Sequence, residues 1–142
     1  MLTLKFLFIP PTANHAQKSR IIKGKGKAPY MVRYNTPKYN DFKQQVQTEL
    51  DKLDDATRAE LVALLQAPHM VFITVASPKF KTKKGEWSLT GGDVDNRIKQ
   101  ALDSIYKPLK ANDALIISIV ATKKVDNEEW MLITFKQYQE EI

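Results

Sequence analysis

The chain contains no cysteine among its 142 residues. This absence excludes a disulfide framework, a thiolate metal site and a cysteine nucleophile, and it suits a reducing compartment. A chain of this length can bury a hydrophobic core without such cross-links. We therefore expect one domain spanning residues 1–142.

Long hydrophobic runs are also absent. No apolar stretch reaches the roughly 20 residues that a membrane-spanning helix needs. The apolar start MLTLKFLFIPP is interrupted by Lys5 and has neither a basic segment before it nor a small-residue cleavage site after it. We expect a soluble intracellular protein.

The sequence also has no G-x-x-x-x-G-K phosphate loop and no G-x-S-x-G elbow, so nothing supports P-loop or serine-hydrolase chemistry.

Acidic residues are missing from the first part of the chain. Residues 1–40 contain no aspartate or glutamate, and the net charge of the whole chain is +6. Basic residues form two clusters, one within residues 1–40 and one of Lys79, Lys81, Lys83 and Lys84. Such clusters attract polyanions through counterion release, although a solvated loop explains either cluster alone at least as well. Two clusters beside an acidic motif favour a nucleic acid as partner. The basic residues assigned to DNA binding are Lys18, Arg20, Lys23, Lys25, Lys27, Lys79, Lys81, Lys83 and Lys84.

Hydrophobic periodicity predicts an α+β fold, a mixed sheet of about four strands packed with about three helices. The predicted strands are 2–9, 69–77, 114–125 and 129–138, and the predicted helices are 37–52, 55–66 and 95–107. The polar, basic stretch 12–30 is expected to be a long loop, and 78–92 a loop or irregular hairpin. The turn-forming DNEE is expected to join the last two strands as an antiparallel hairpin. His69, at the start of a strand, is expected to be a hydrogen-bonded structural residue.

One stretch concentrates the carboxylates: GGDVDNRIKQALDSIYKPLKAND, residues 91–113. On a helix, Asp95, Lys99 and Asp103 lie on one face, which differs from the face of the apolar stripe. Asp93 lies just before this helix, and Asp113 just before a predicted buried strand. Three carboxylates can therefore converge near one lysine.

Converging carboxylates repel each other unless a cation lies between them, and oxygen ligands of this kind suit Mg²⁺. Lys99 would add positive charge at a bound phosphate. Ordinary structural roles compete with this interpretation. Asp93 or Asp95 can be a helix N-cap, and Asp95 with Lys99 can be a surface ion pair. Spacing alone favours these structural roles.

The stretch GDVDNRIKQALDSIYKPLKANDALI resembles the signature of the RusA family of crossover-junction endodeoxyribonucleases, the Holliday junction resolvases. The shared features are D-x-D-N, a lysine one helical turn later, an aspartate further along the helix and an acidic residue before a strand. The segment PPTANH resembles the family's early Pro-Pro and Asn segment. The resemblance implies cleavage of four-way DNA junctions by a Mg²⁺-dependent homodimer, with Mn²⁺ as a possible substitute. It also implies a cytoplasmic, bacterial or prophage setting in DNA recombination and repair.

The resemblance also assigns the site residues. Asp93, Asp95 and Asp113 correspond to the metal-binding carboxylates, and Lys99 to the catalytic lysine. Asn96, Asp103 and Asn14 correspond to supporting positions. Two departures from the family pattern stand out. Asn112 occupies a position where many members have a second acid, and Gly91 and Gly92 occupy positions where members often have proline or arginine.

Two other functions stay open. In a non-catalytic basic nucleic-acid-binding module, the carboxylates would be helix caps and ion pairs. A small-molecule phosphohydrolase would leave both lysine clusters without a role.

Overall fold

The computed structural model describes residues 1–11, 17–24, 26, 28–88 and 94–139 of the protein. Among these, the description excludes the side chains of Gln17, Lys18, Val32, Arg33, Asp95 and Asn96. Four predicted site residues lie outside the described residues: Asn14, Lys25, Lys27 and Asp93. No helix within the described ranges is long and apolar enough to cross a membrane.

A mixed sheet of four strands forms the centre of the fold, as predicted. Its strands are β1 (Leu2–Phe6), β4 (His69–Ala76), β5 (Ile116–Lys124) and β6 (Trp130–Gln137), in the order β1-β6-β4-β5. β6 pairs antiparallel with both β1 and β4, whereas β5 pairs parallel with β4. β5 is therefore an edge strand.

The predicted hairpin between β5 and β6 is wrong, because β4 lies between these two strands. Ala76, at the end of β4, pairs with Lys124 on one side and Trp130 on the other. The connection 125–129 crosses the end of β4, and five extended residues at about 3.3 Å each can span the roughly 10 Å between β5 and β6. A central position suits β4 because both of its backbone edges are then hydrogen-bonded.

Three helices pack with this sheet in the described part of the chain: α1 (Pro37–Asp51), α2 (Asp55–Leu65) and α3 (Val94–Tyr106). Thr36 caps α1, since its hydroxyl oxygen accepts from the backbone N–H of Tyr39 at 3.4 Å. Asp54 caps α2 by accepting from the N–H of Thr57 at 2.7 Å. The three predicted helices are confirmed to within a residue or two at each end.

The hydrophobic core lies between the helices and one face of the sheet. α3 contributes the predicted apolar stripe, because Ile98, Leu102 and Ile105 are buried and Leu109 packs at the edge of the core. The other large contributions come from Phe42, Val46, Leu50, Leu61, Leu65, Val71, Ile73, Met131, Ile133 and Phe135. The face of α3 that meets the core is thereby fixed, and so is the face that it leaves to solvent.

His69 is a structural residue, as predicted. It is fully buried, and its Nδ1 lies 2.7 Å from the carbonyl oxygen of Ala67. A carbonyl can only accept, so Nδ1 donates there and Nε2 accepts from the hydroxyl of Tyr106 at 2.6 Å. This buried pair joins the start of β4 to the end of α3.

The expectation of a long loop over 12–30 is wrong for part of that range. β2 (Gln17–Ile22) pairs antiparallel with β3 (Tyr30–Asn35) to form a separate two-stranded ribbon. The ribbon was not predictable from periodicity because none of its described side chains is buried, and its sequence has no apolar alternation. The segment after β4 forms a short 3-10 helix (Pro78–Phe80) and a bridge between Lys81 and Trp87. It is thus an irregular hairpin over its described residues.

Candidate active site

α3 presents Lys99 and Asp103 on the side that does not meet the core. The two side chains are four residues apart and therefore lie one above the other. Lys99 is exposed and Asp103 is half-buried. The ammonium group of Lys107, one further turn along, lies 3.9 Å from Oδ2 of Asp103. This face of α3 consequently carries alternating charge.

Asp113 reaches the same region through a tight turn after α3. The N–H of Ala111 donates to the carbonyl of Tyr106 at 2.9 Å, and Lys110 adopts the left-handed conformation with φ 54°. This is a common way for a helix to end. Asn112 then accepts from the N–H of Ala114 at 2.9 Å and so caps a short 3-10 helix, Asp113–Leu115, which leads into β5. Asp113 itself is exposed.

Lys99, Asp103 and Asp113 line one groove between α3 and β5, with a volume of ≈ 710 Å³. The rest of its lining is mostly apolar and consists of Ile98, Leu102, Ile116, Ile117, Ser118 and Ile119. The structure thus brings together three residues that the sequence spreads over 15 positions, from 99 to 113. A polar strip of opposite charges runs through an otherwise hydrophobic groove.

The donor set of this groove fits a hard divalent cation. Asp113 offers an exposed carboxylate and Asp103 a half-buried one, and oxygen donors are what Mg²⁺ prefers. Within the described residues, no three His, Asp or Glu side chains form a metal-binding cluster. Two of the three carboxylates assigned to the metal are outside that set, since Asp93 and the side chain of Asp95 are not described. The backbone of Asp95 lies in the first turn of α3, four residues before Lys99.

The carboxylates of the groove act on two buried tyrosines. Burial raises the pKa of Tyr106 far above its ordinary value, and the negative charge of Asp113 raises it further. Burial also raises the pKa of Tyr39, an effect that a hydrogen bond with Ser104 opposes and the charge of Asp103 reinforces. Both phenols therefore stay protonated at neutral pH, which keeps the Tyr106 hydroxyl available as the donor to His69.

Arg97 is a functional candidate that the sequence analysis missed. It directly follows the D-x-D-N motif, yet its side chain is only 8 % exposed. Its guanidinium donates to the carbonyl of Pro10 at 2.5 Å and lies 5.3 Å from the ring centroid of Phe80. Burial lowers the pKa of Arg97, and the charge of Glu129 partly offsets this effect. Arg97 ties the first turn of α3 to the chain that leaves β1.

One signal in the sequence indicates this role of Arg97. It stands four residues before Ala101 and eight before Ile105, which are both fully buried. A charged residue in register with the apolar face of a helix must point inward. Such a residue needs a polar partner in the interior.

The predicted DNA-binding residues whose side chains are described do not line the groove. Arg20 and Lys23 are exposed on and beside the β2–β3 ribbon. Lys79, Lys81, Lys83 and Lys84 are exposed on the hairpin after β4. Lys79 lies 4.0 Å from a carboxylate oxygen of Glu129, and Lys81 lies 5.4 Å from the ring centroid of Trp87. None of these described basic residues lines the groove, so they offer cationic surface outside it.

Comparison with known proteins identifies a family. The family model described as Endodeoxyribonuclease RusA matches residues 9–135. The matched range includes α1 to α3, the groove and the strands β2 to β6 almost completely. No curated protein matches the chain. Because the match covers most of its length, the chain belongs to the RusA family of Holliday junction-resolving endodeoxyribonucleases.

Proposed function

We propose that this protein resolves four-way DNA junctions by Mg²⁺-dependent, paired hydrolysis of phosphodiester bonds. The observation that carries the proposal is the convergence of Lys99, Asp103 and Asp113 on one groove of a RusA-family chain. Residues 1–142 act as one endonuclease domain in this proposal. A non-catalytic binding module has no evident use for an exposed lysine and two carboxylates in the same hydrophobic groove.

Each charged residue has a distinct role in the proposed reaction. Asp93, Asp95 and Asp113 would hold the divalent cation, for which Mn²⁺ is an expected substitute. A cation held by these residues would polarise the scissile phosphate and make a bound water more acidic. Lys99 places its ammonium group where it can stabilise the negative charge that develops on the phosphate. The supporting positions in this scheme are Asn96, Asp103 and Asn14.

The apolar lining of the groove contributes to this role of Lys99. Hydrophobic side chains on α3 and β5 flank the position proposed for the phosphate, and an ion pair beside apolar groups is stronger than one surrounded by water; the exposure of Lys99 keeps this gain small. Ile117 and Ile119 form this lining on the β5 side. The groove therefore combines apolar walls with a small number of charged side chains.

The proposal includes a homodimer, for which the edge strand β5 provides support. Ile117, Ile119 and Val120 are 51 %, 45 % and 48 % exposed, and the outer backbone edge of β5 has no partner strand in the described residues. Edge strands of this kind pair readily with another chain. A two-fold contact at β5 would bring two grooves near each other. That arrangement matches the paired cuts needed to resolve a two-fold symmetric junction.

The two basic clusters are proposed to bind the DNA arms through phosphate contacts. The same proposal places the enzyme in DNA recombination and repair, in the cytoplasm of a bacterium or of a phage-infected cell. The lack of cysteine in the chain is compatible with that reducing setting.

A junction-cleavage assay tests the proposal directly. Wild-type protein is incubated with a synthetic four-way junction or with a linear duplex of the same arm sequence, in Mg²⁺, Mn²⁺ or EDTA. We expect symmetric cuts in the junction only when a metal is present. Asp113→Asn and Lys99→Ala should each lower the cleavage rate by about 10²-fold or more.

Two exposed helical residues offer matched controls. Asp55→Asn alters an acid in the first turn of α2, and Lys52→Ala removes a lysine that is 67 % exposed at the end of α1. Both should cleave as wild type does. Full activity of Asp113→Asn would refute the assignment of the site. Junction binding without cleavage in either metal would favour the non-catalytic module instead.

A further inference from the structure

The β2–β3 ribbon exposes side chains on both of its faces, among the residues whose side chains are described. Ile21 lies directly opposite Met31 in the ribbon, and these side chains are 64 % and 71 % exposed. Tyr30 and Tyr34 belong to the opposite face and are 52 % and 40 % exposed. A two-stranded ribbon is only marginally stable on its own in water. A ribbon with apolar and aromatic side chains on both faces is therefore suited to a partner.

The charge of the ribbon indicates what that partner is. Residues 1–40 have no acidic side chain, whereas Arg20 and Lys23 are exposed. The guanidinium of Arg20 lies 5.6 Å from the ring centroid of Tyr34, its diagonal neighbour on the same face. Cation and aromatic ring together suit the phosphates and bases of a nucleic acid. A two-stranded ribbon also has dimensions that fit a DNA groove.

The Ile21–Met31 pair has a different chemistry, since neither side chain is charged; Arg33 follows two positions along on the same face, opposite Ser19. Isoleucine and methionine are among the apolar side chains that DNA-binding proteins insert between base steps. Such insertion into continuous duplex must first unstack two base pairs. At the centre of a four-way junction, each arm ends in a base pair beside the branch point. The stacking face of that base pair can become exposed without unstacking a continuous duplex. An exposed apolar pair should therefore discriminate between branched and linear DNA.

We propose that Ile21 and Met31 contact the open base-pair faces at the branch point and so give the enzyme its preference for junctions. Arg20 on the opposite face binds phosphate and contributes equally to any DNA. This inference rests on the proposed function, because it assumes a branched substrate. It assigns the choice of substrate to the ribbon and the chemistry to the groove between α3 and β5.

The double variant Ile21→Ser with Met31→Ser tests the inference in the full-length protein. Binding is measured in EDTA with fluorescently labelled junction and linear duplex. We expect junction affinity to fall by about tenfold and duplex affinity to stay within about twofold. Leu7→Ser is the matched control, because Leu7 is 77 % exposed and lies outside the ribbon. It should leave both affinities unchanged.

A second measurement follows the bases themselves. 2-Aminopurine at the branch point should gain fluorescence when wild-type protein binds, and the double variant should produce little of this gain. Arg20→Ala should weaken binding to junction and duplex by the same factor and reduce the dependence of binding on salt.

Three results would overturn the inference. The first is a double variant that keeps the wild-type ratio of junction to duplex affinity. The second is a double variant that becomes monomeric by light scattering, since the ribbon would then contact a second copy of the chain. The third is wild-type protein with no preference for junctions, which would also overturn the proposed function. The first two leave the proposed function intact.

Discussion

Replacing Arg97 with methionine should weaken both the fold and the active site. Methionine keeps most of the apolar stem and removes only the guanidinium. The variant therefore loses the hydrogen bond to the Pro10 carbonyl and the contact with the Phe80 ring. Pro10 is buried, so its carbonyl does not simply regain a water molecule.

The size of the effect follows from these contacts. A hydrogen bond from a charged donor contributes about 1.5–3 kcal/mol, and a cation over an aromatic ring about 0.5–1 kcal/mol. Removal of the buried charge also removes its desolvation cost, which the lowered pKa of Arg97 reveals. A net loss of roughly 2 kcal/mol in the free energy of unfolding results. For a chain of this length, that loss lowers the melting temperature by about 6–8 °C.

The cleavage rate of Arg97→Met should fall by more than its loss of stability explains. Arg97 anchors the first turn of α3, and Lys99 in the next turn lines the groove proposed as the active site. Small displacements of catalytic groups lower rates steeply, so we expect kcat to fall by about tenfold or more at a temperature where the variant is fully folded. Junction affinity should remain unchanged, because Arg97 is buried and does not reach DNA.

Arg58→Met is the matched control in urea denaturation and junction cleavage. Arg58 also donates to a backbone carbonyl, that of Leu50 at 3.2 Å, but its side chain is 37 % exposed. Water can replace this bond, so we expect little change in stability and none in cleavage. Our account of Arg97 is refuted if Arg97→Met unfolds and cleaves as wild type does.

Three further predictions concern other parts of the molecule. Tyr106→Phe removes the donor to the buried Nε2 of His69 and should cost about 1–3 kcal/mol in urea denaturation. Asn112→Asp retains an oxygen for the cap on Ala114 and adds an acid beside Asp113, so half-maximal cleavage should need less Mg²⁺. Ile119→Lys places a charge on the exposed edge strand β5 and should weaken the dimer in light-scattering measurements.

Each of these predictions has a result that contradicts it. Unchanged stability of Tyr106→Phe would show that His69 does not depend on the hydroxyl. For Asn112→Asp, Asn112→Ala is the control without an added charge, and equal Mg²⁺ requirements in the two variants would count against a role in metal affinity. An Ile119→Lys protein that stays dimeric would move the proposed dimer contact away from β5, provided that its circular dichroism matches that of wild type.

The helices were predictable because their signals are local. In α1, Thr36 and Pro37 mark the start, and Tyr39, Phe42 and Val46 return to the same face at helical spacing and are buried. In α3, the same periodicity separates the buried Ile98 and Leu102 from the exposed Lys99. Backbone geometry alone decides which of these side chains share a face.

Strand partners were less predictable because pairing depends on residues far apart in the chain. β5 and β6 are consecutive, and a short polar connection ordinarily indicates a hairpin. Here β4 lies between them, because its fully buried Val71 and Val75 belong in the middle of the sheet. The β2–β3 ribbon was not predicted for a different reason, since none of the side chains described for it is buried and its sequence has no apolar alternation.

The candidate site was likewise predictable where its signals are local and not where they depend on tertiary contacts. The amino-acid sequence alone determined that Lys99 and Asp103 share one helical face and indicated Asp113, just before a strand, as a carboxylate able to join them. Resemblance to a family assigned the role of metal ligand to Asp113. Only the tertiary structure determines that Asp113 returns to α3, that Ile117 and Ile119 complete the groove and that the carbonyl of Pro10 is the partner of Arg97. Local spacing specifies positions within one helix, whereas distances between separate elements arise only when the whole core packs.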